Sequence, residues 1–382
     1  MSGNENGRHR IPTGMPVVIK AGSSSLVLES GELDPEALQR TVDHVAGMWD
    51  RGHPSLLVSS GAVAAGLPAL NLSRRPKDVP GLQAAAAVGQ GRLMERYASL
   101  FKERGIVVGQ VLLTKDLFAS RSQYLHARNA LQRMLSLGVV PIINENDAVV
   151  VDELRLGDND RLAAIVSHLV SAGILVILTD TAGIYTGDPK LMVDVELLSA
   201  VHSTDIALDQ FTVGDSGPFG SGGAATKVAA ARMAAWSGIP TVIADAREPD
   251  VVARAAGGEE VGTWVTPHPL KLPARKLWIA FGQPAEGRVT VDHGATRALL
   301  DGGKSLLAVG IAAVEGSFDA ESAVEVAGDD GAVIGKGLVA MSADEMRLAV
   351  GRHSSEVGGV VIHRDDFVLL ARSDPSGDRL SG

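Results

Sequence analysis

The feature that most constrains the fold is a series of short, uninterrupted apolar runs separated by segments of helical spacing. Such a run indicates a strand covered on both faces, whereas an alternating run indicates a strand with one wet face. Buried strands joined by helices are typical of a mainly parallel sheet between two helical layers. We therefore predict an α/β domain over roughly the first 245 residues. The runs are 17–20, 55–59, 106–113, 139–143, 174–179 and 241–244.

The helices between these runs are predicted from apolar spacing and from end signals. Asp34 followed by Pro35 is typical of a helix start, because aspartate caps free N–H groups and proline fits the first helical position. A helix is therefore expected over 34–50. The other helices are predicted over 82–103, 122–137, 160–171 and 224–237.

A change of character near residues 250–275 predicts a second domain. Pro267, Pro269 and Pro273 lie close together, which favours a linker. Shorter β-like runs follow, including 276–281 and 288–291, so a small β-rich domain is expected. The predicted organisation is a disordered arm over 1–14, a first domain over 15–262, a linker over 263–274, a β-rich domain over 275–370 and a flexible tail over 371–382.

The composition excludes several classes of site. The chain has no cysteine, which excludes a disulfide scaffold, a thiolate zinc site and a cysteine nucleophile. Its formal net charge of −10 argues against broad binding to nucleic acid or to anionic membranes. No apolar run reaches the about 18 residues of a membrane-spanning helix, and the polar N-terminus lacks the apolar stretch of a signal peptide. We therefore expect a soluble cytoplasmic protein, in which an anionic substrate needs a local cationic pocket.

Six polar clusters follow predicted strands or open predicted helices. The carboxyl ends of parallel strands share one edge of a sheet, and such sheets bind ligands there. We therefore expect the clusters to meet at that edge. They are Lys20 with Gly22; Ser60 with Gly61; Asn144 with Asp147; Asp158 with Asn159 and Asp160; Thr179 with Asp180; and the loop Gly220–Lys227.

The residue types in these clusters favour phosphate chemistry. Glycine turns let backbone N–H groups approach phosphate oxygens, and lysine is a point cation suited to them. Lys20 and Lys227 each accompany such a turn. Phosphoryl transfer depends on positioning and charge stabilisation, and no side chain is marked as a covalent nucleophile. We interpret the chain as a small-molecule kinase without a P-loop, although helix caps, Asx turns or a strand-end lysine explain several single clusters.

The motifs resemble those of the glutamate 5-kinase family, within the amino acid kinase superfamily and with a C-terminal PUA domain. The resemblance covers about residues 15–370. NENDAV together with GDND is its most specific part. Further matching segments are IKAGSSSL, VSSGAVAAG, LQAAAAVGQGRLM, GQVLLT, ILTDTAGIYTGDPK, GSGGAATK, VDHGATRALL, VEGSF and VIHRDDFVLL.

The resemblance implies an amino acid kinase-like three-layer αβα sandwich and ATP-dependent phosphorylation of the L-glutamate side-chain carboxylate, the first step of proline biosynthesis. It implies Mg²⁺ held by the ATP phosphates, a cytoplasmic homo-oligomer (dimer or tetramer) and feedback inhibition by proline. By motif position, the implied roles are these: Lys20, Lys227 and Asp160 catalytic; Ser60, Asp147 and Asn159 glutamate-binding; Lys20, Thr179, Asp180, Ser221, Gly222, Gly223, Ala224, Ala225, Thr226 and Lys227 ATP-binding; Gly22, Gly61, Asn144 and Asp158 supporting.

Some positions depart from the family pattern, and two alternatives stay open. Ala172-Gly173, Ala224 and His126 stand where the family usually has Ala-Asp, Met and Asn. One alternative is another member of the superfamily, such as an N-acetylglutamate, aspartate, carbamate or uridylate kinase. The other is RNA binding through the PUA-like domain. Residues 275–366 carry nine Lys or Arg against fourteen Asp or Glu, which argues against a surface that follows RNA phosphates.

Overall fold

The computed structural model describes residues 7–114, 117, 120–149, 159–187, 194–202, 222–301, 303–350 and 360–370. The chain divides into two compact units, one ending at Lys271 and the other beginning at Leu272. Residues 1–6 and the predicted flexible tail over 371–382 lie outside the described residues.

The described part of the first unit is built on an eight-stranded sheet, in the order β3-β4-β2-β1-β5-β7-β8-β6. Neighbouring strands run parallel except β7 and β8, which pair antiparallel. The large, mainly parallel sheet confirms the predicted fold class. The strands are β1 Val17–Ala21, β2 Ser55–Ser59, β3 Val107–Leu113, β4 Val139–Glu145, β5 Ile174–Thr179, β6 Ala200–His202, β7 Thr241–Asp245 and β8 Thr263–Thr266.

Helices cover both faces of this sheet. Alternate strand residues such as Ile19 and Val176 pack with α2, α4 and α8 in one core. The intervening residues, including Lys20, face α6 and α7 on the opposite side. The helices are α1 Ser23–Leu26, α2 Pro35–Asp50, α3 Ala62–Gly66, α4 Val79–Glu103, α5 Arg121–Ser136, α6 Asn159–Val170, α7 Gly222–Trp236 and α8 Val251–Ala256, with a 3₁₀ turn at Pro68–Leu70.

The start of α2 confirms the signal that predicted it. Asp34 has extended backbone angles, and its side chain accepts a hydrogen bond from the backbone N–H of Glu36 at 2.9 Å. Pro35 occupies the first helical position. The aspartate satisfies one of the N–H groups that every helix leaves unpaired at its start, which fixes where α2 begins.

The arm predicted as disordered over 1–14 is part of the fold where it is described. The Arg8 side chain is 2 % exposed and lies 5.9 Å from the centre of the Trp264 ring, and Ile11 is also buried. A buried guanidinium needs several acceptors, and the chain around β8 supplies them as backbone carbonyls. The polar sequence does not show this, because the acceptors lie about 190 to 250 residues further along. They are the carbonyl oxygens of Ser199, Glu259, Val261 and Gly262, at 2.5–3.0 Å.

We expect Arg8→Ala to lower the free energy of unfolding by about 3 kcal/mol, because it leaves buried carbonyl oxygens without donors. The neighbouring Arg10 is exposed, so Arg10→Ala is the matched control and should change stability by less than about 0.5 kcal/mol. Urea denaturation of the two variants measures the difference. Equal midpoints would show that the arm contributes nothing to the fold.

The predicted linker over 263–274 is wrong at its start. Thr263–Thr266 forms β8, which pairs antiparallel with β7 and parallel with β6. Trp264 is fully buried in this strand. The prolines that suggested a linker begin only after it, at Pro267, so the linker signal was placed a few residues too early.

The second unit is β-rich, as predicted. Its described part holds a five-stranded sheet in the order β11-β9-β12-β13-β15 and a separate β10–β14 pair. Residues 276–281, predicted as a strand, are instead helical, because a short apolar run reads the same in a strand and in a buried helix. The elements are α9 Ala274–Leu277, a π turn Trp278–Gly282, β9 Gly287–Val291, α10 His293–Leu300, β10 Leu306–Leu307, a 3₁₀ turn Ala308–Gly310, β11 Ile311–Gly316, β12 Ala323–Ala327, β13 Val333–Leu338, α11 Ala343–Ala349, β14 Val360–Ile362, a 3₁₀ turn Arg364–Asp366 and β15 Phe367–Leu369.

Candidate active site

The predicted polar clusters meet at one edge of the large sheet. The strands β4, β2, β1 and β5 are neighbours and run parallel, so their carboxyl ends share this edge. Helices α6 and α7 begin beside it. The sequence-predicted residues on these elements therefore lie together, except Asp158, Gly220 and Ser221, which lie outside the described residues.

An ion pair lies at the centre of the site. The Lys20 ammonium is 2.6 Å from Oδ1 of Asp160, and the two side chains are 5 % and 3 % exposed. Lys20 comes from β1 and Asp160 from the first turn of α6, on the face of the sheet that α6 covers. The Thr226 hydroxyl donates to Oδ2 of Asp160 at 2.9 Å. Both oxygens of this carboxylate are thus engaged, which satisfies a charge that would be costly to bury alone.

The second lysine approaches the same carboxylate from α7. Burial lowers the pKa of Lys227, and the nearby Lys20 ammonium lowers it too, whereas Asp160 and Asp180 raise it. The helix begins at Gly222, two residues before the predicted start at 224, so Lys227 lies in its second turn. Two ammonium groups therefore lie close together at this edge, and cations fixed in this way are suited to an anionic group.

The glycine after β1 leaves room for the Lys20 ammonium. A Cβ placed on Gly22 would lie 2.8 Å from Nζ of Lys20. Gly22 has φ −84° and ψ 164°, angles that any residue adopts. The need for glycine here is therefore steric and concerns the lysine, not the backbone.

We expect Gly22→Ala to lower kcat/KM for the phosphoryl transfer proposed below by roughly 10- to 100-fold, because moving a catalytic group by about 1 Å has effects of this size. The free energy of unfolding should change by less than about 1 kcal/mol, since the backbone is not strained. Gly91→Ala is the matched control, because a Cβ on Gly91 meets no atom within 4 Å. Steady-state kinetics measure both, and equal activity of the two variants would contradict the account.

A network of side-chain amides lies beside the ion pair. Asn159 is the first residue of α6, and its Nδ2 donates to the Ser60 hydroxyl and to Oδ1 of Asn144, both at 2.9 Å. The Glu145 N–H donates to Oδ1 of Asn144 at 2.9 Å and, more weakly, to Oδ1 of Asn159 at 3.3 Å. The network joins the ends of β2 and β4 to the start of α6, next to Asp160.

Two residues of this region were missed as individual site residues. Gln90 and Tyr97 lie seven positions apart on one buried face of α4. Oε1 of Gln90 accepts from Nδ2 of Asn144 at 2.8 Å, and the Tyr97 hydroxyl is 2.8 Å from the Ser59 hydroxyl. Burial raises the pKa of Tyr97. The signals in the sequence were polar residues at helical spacing and, for Gln90, a place in the matching segment LQAAAAVGQGRLM, and neither by itself predicts a role.

Gly61 separates β2 from α3 and adopts a left-handed conformation, with φ 106°. Residues with a side chain rarely take such angles, so the turn after Ser60 requires glycine. This turn directs Ser60 toward Asn159, whose Nδ2 donates to the Ser60 hydroxyl. Gly61 thereby supports the predicted position of Ser60.

Asp147 lies in the turn after β4 and is half-buried. Burial raises the pKa of Asp147, and the Arg75 guanidinium lowers it. At neutral pH a carboxylate in this position is suited to pair with a small cation, such as a substrate ammonium.

The chain after β5 forms the other side of the site. The Thr179 hydroxyl donates to Oδ1 of Asp180 at 3.2 Å. The Arg247 guanidinium donates to the backbone carbonyl of Asp180 at 2.9 Å and pairs with Asp245, at the end of β7. Asp180 also raises the pKa of Lys227, so these residues lie near the second lysine. The start of α7 completes this side with Gly222, Gly223, Ala224 and Ala225.

The described donors form an anion site more than a cation site. Among the described residues there is no group of three or more His, Cys, Asp or Glu side chains that could hold a metal ion. Asp160 is engaged by Lys20 and Thr226.

No described helix is long and apolar enough to cross a membrane.

Comparison with known proteins identifies the family. The sequence model of the amino acid kinase family matches residues 15–245, more than half of the chain, and that of the PUA domain matches residues 287–361. A glutamate 5-kinase of Trichlorobacter lovleyi is 42 % identical over 365 residues, which is 94 % of this chain and 97 % of that protein. This chain belongs to the glutamate 5-kinase family. A second member, from Thioalkalivibrio sulfidiphilus, is 44 % identical over 361 residues, 92 % of this chain and 96 % of that protein.

Membership of the glutamate 5-kinase family confirms the resemblance seen in the motifs, including the C-terminal PUA domain. A solved structure of UMP kinase from Bacillus anthracis overlaps with a TM-score of 0.46 and 15 % identity, covering 67 % of this chain and 97 % of that one. This overlap is too weak to bear on the reaction.

Proposed function

We propose that the protein transfers the γ-phosphoryl group of ATP to the side-chain carboxylate of L-glutamate, giving L-glutamyl 5-phosphate and ADP. The observation that carries the proposal is the buried pair of Lys20 and Asp160, with Lys227 beside it, next to the amide network at the carboxyl edge of the sheet. Family membership supports the choice of glutamate, because spacing alone does not distinguish it from other carboxylate acceptors.

The two lysines meet the main electrostatic difficulty of this reaction. Glutamate and ATP are both anions and repel each other, and negative charge is spread over the transferring group in the transition state. Fixed cations in a buried site stabilise that charge without having to reorganise. Lys20 and Lys227 act on the γ-phosphoryl group, and Asp160 with Thr226 holds the pair in place.

The amide network provides the glutamate subsite. An oxygen of the substrate carboxylate attacks the γ-phosphorus in line with the departing ADP oxygen, so one P–O bond forms as another breaks. Ser60 and Asn159 orient the glutamate, and Asp147 pairs with its ammonium group. Among the described contacts the Ser60 hydroxyl accepts but does not donate, so its hydrogen is available to a substrate carboxylate.

The nucleotide lies toward β5 and α7 in this proposal. Thr179 and Asp180 bind it on one side, and the segment from Ser221 to Lys227 binds its phosphates, near the positive end of the α7 dipole. The Thr226 hydroxyl donates to the same carboxylate that holds Lys20, so we assign Thr226 to the support of Asp160 and not to direct contact with ATP.

The donor set fits a Mg²⁺ ion that arrives with the nucleotide. The Asp160 oxygens are already engaged by Lys20 and Thr226, so the ATP phosphates and water would be the main ligands of this ion. When bound, Mg²⁺ neutralises part of the phosphate charge. The protein residues hold the phosphates and the acceptor carboxylate in the positions required for transfer.

We further propose that this reaction is the first step of proline biosynthesis in the cytoplasm, carried out by a homo-oligomer that proline inhibits. Family membership supports these assignments. The product is an acyl phosphate, which reacts readily with nucleophiles, so a following enzyme must consume it promptly.

Release of ADP with different acceptors tests the proposed function. Purified protein is incubated with Mg-ATP and hydroxylamine, and L-glutamate is compared with N-acetylglutamate and L-aspartate. We expect glutamate-dependent ADP release together with glutamyl hydroxamate, because hydroxylamine traps an acyl phosphate. Product with another acceptor alone would contradict glutamate as the substrate, and ADP without hydroxamate would contradict transfer to a carboxylate.

A further inference from the structure

The amide network extends beyond the substrate-facing residues to a buried side chain on α4. Gln90 is 9 % exposed, and its Oε1 accepts from Nδ2 of Asn144 at 2.8 Å. Its Nε2 is buried and has no hydrogen-bond partner within the described part of the chain. A buried amide that uses only its acceptor is unusual, because an unpaired buried donor costs free energy. The unpaired Nε2 does not favour glutamine at this position, so the hydrogen bond that Oε1 accepts from Asn144 is the contact that accounts for Gln90.

We infer that Gln90 is a positioning residue for glutamate, acting through Asn144, Asn159 and Ser60; the inference rests on the proposed function. The Gln90 oxygen holds Nδ2 of Asn144, which leaves Oδ1 of Asn144 facing Nδ2 of Asn159. The two hydrogens of Nδ2 of Asn159 then go to Asn144 and to the Ser60 oxygen. The Ser60 hydroxyl has thus received its hydrogen bond and directs its own hydrogen to the substrate carboxylate.

The direction of donation depends on the partners of both sides of the Asn144 amide. The Glu145 N–H donates to its Oδ1, and the Gln90 oxygen accepts from its Nδ2, so the two together fix which side of Asn144 faces Asn159. Without the Gln90 oxygen, Nδ2 of Asn144 is a buried donor with nothing to bind, and only the Glu145 N–H opposes a turn of the amide toward another acceptor. The donor side of Asn159 then loses its partner, and Ser60 is no longer held as a donor to glutamate. The contacts described for Thr179 and Lys227, on the ATP side of the site, involve Asp160, Asp180 and Lys20 and not the residues of this relay.

We expect Gln90→Met, which keeps the length of the side chain and removes the acceptor, to raise the KM for glutamate about tenfold. The KM for ATP and the melting temperature should stay close to those of the wild type. Gln90→Glu keeps an acceptor oxygen in either protonation state and loses only the unpartnered Nε2, so its KM for glutamate should lie within threefold of wild type. Gln39→Met on α2 removes a half-buried amide that bonds Asp43 and is the control, expected to change neither KM.

The dependence on Ser60 separates positioning from a general packing effect. In a Ser60→Ala background Gln90→Met should change the KM for glutamate by less than twofold, because residues that act through one contact are not additive. A full tenfold effect in that background would overturn the inference. So would a Gln90→Met enzyme with an unchanged KM for glutamate, an equal rise in the KM for ATP, or a Gln90→Glu enzyme as impaired as Gln90→Met. A wild-type protein that makes no glutamyl hydroxamate would overturn the proposed function, and the inference with it.

Discussion

Replacing Lys227 with alanine is expected to lower turnover by about 100-fold or more and to leave the folded state intact. One preorganised donor to a developing oxyanion contributes roughly 3–4 kcal/mol to the transition state. Lys227 is buried near Lys20, so its removal also relieves a repulsion and a desolvation penalty in the empty site. Kinetics with Mg-ATP and glutamate measure the loss, and circular dichroism checks the fold. The exposed Lys102 on α4 provides the control variant Lys102→Ala, expected to keep wild-type turnover.

The pH dependence of the wild-type activity provides a second test of the role of Lys227. Burial lowers the pKa of Lys227, so the ammonium form is lost at lower pH than in an ordinary lysine. Only the protonated form stabilises the phosphoryl group, so kcat/KM for ATP should fall as the pH rises through this lowered pKa. Lys227→Arg stays charged at these pH values, so whatever activity it keeps should lack this alkaline fall. A Lys227→Ala enzyme with the turnover of the wild type would contradict the role of this residue.

Asp160→Asn is expected to have the second large effect, on stability as well as on turnover. The Lys20 ammonium is buried against this carboxylate at 2.6 Å, and loss of one partner of a buried pair costs about 3–5 kcal/mol. Asp160 also raises the pKa of Lys227, so its loss disfavours the protonated form of both lysines. We expect turnover to fall at least about 100-fold. Urea denaturation measures the stability, and single-turnover kinetics measure the chemical step.

A double variant separates the two effects of Asp160. In Lys20→Met with Asp160→Asn the Lys20 ammonium is gone and Lys227 still has Asp180 nearby, so part of the lost stability should recover while activity stays low. Asp43→Asn is the matched control, because Asp43 pairs with Arg104 at the surface and such pairs contribute at most about 1 kcal/mol. A double variant no more stable than Asp160→Asn would show that the carboxylate stabilises the fold by other means.

The fold of the first unit could be predicted because its strands carry a strong local signal. The run Ile174–Thr179 is apolar up to its final threonine and forms β5 over the same residues. The end signals of α2 were equally local, since Asp34 and Pro35 act within one turn of the helix. Where the signal was not local, prediction failed. Arg8 is buried against carbonyl groups that lie far along the chain. Residues 276–281 form helical turns, and their short apolar run could not distinguish a strand from a buried helix.

The site could be predicted where polar or charged residues directly follow, or stand at the end of, a predicted strand. Lys20, Asn144 and Thr179 stand at the carboxyl ends of buried strands, and the parallel sheet brings them to one edge. Family resemblance supplied the individual roles, which remain proposals. Gln90 was not predicted, because it lies inside a helix and its position beside Asn144 follows from how α4 packs on the sheet. Likewise, the sequence did not show that Thr226 contacts Asp160, because that contact depends on how α6 and α7 lie together.

The transfer of an isotope label tests the central claim most directly. L-Glutamate carrying ¹⁸O in its side-chain carboxylate is incubated with the protein, Mg-ATP and hydroxylamine, and the released phosphate is analysed by mass spectrometry. If the carboxylate oxygen attacks the γ-phosphorus, it becomes the bridging atom, and hydroxylamine attack at the carbonyl carbon leaves it on phosphate. We predict one ¹⁸O atom in each phosphate, formed together with glutamyl hydroxamate. Phosphate without the label would show that water, not glutamate, accepts the phosphoryl group, and would contradict the account.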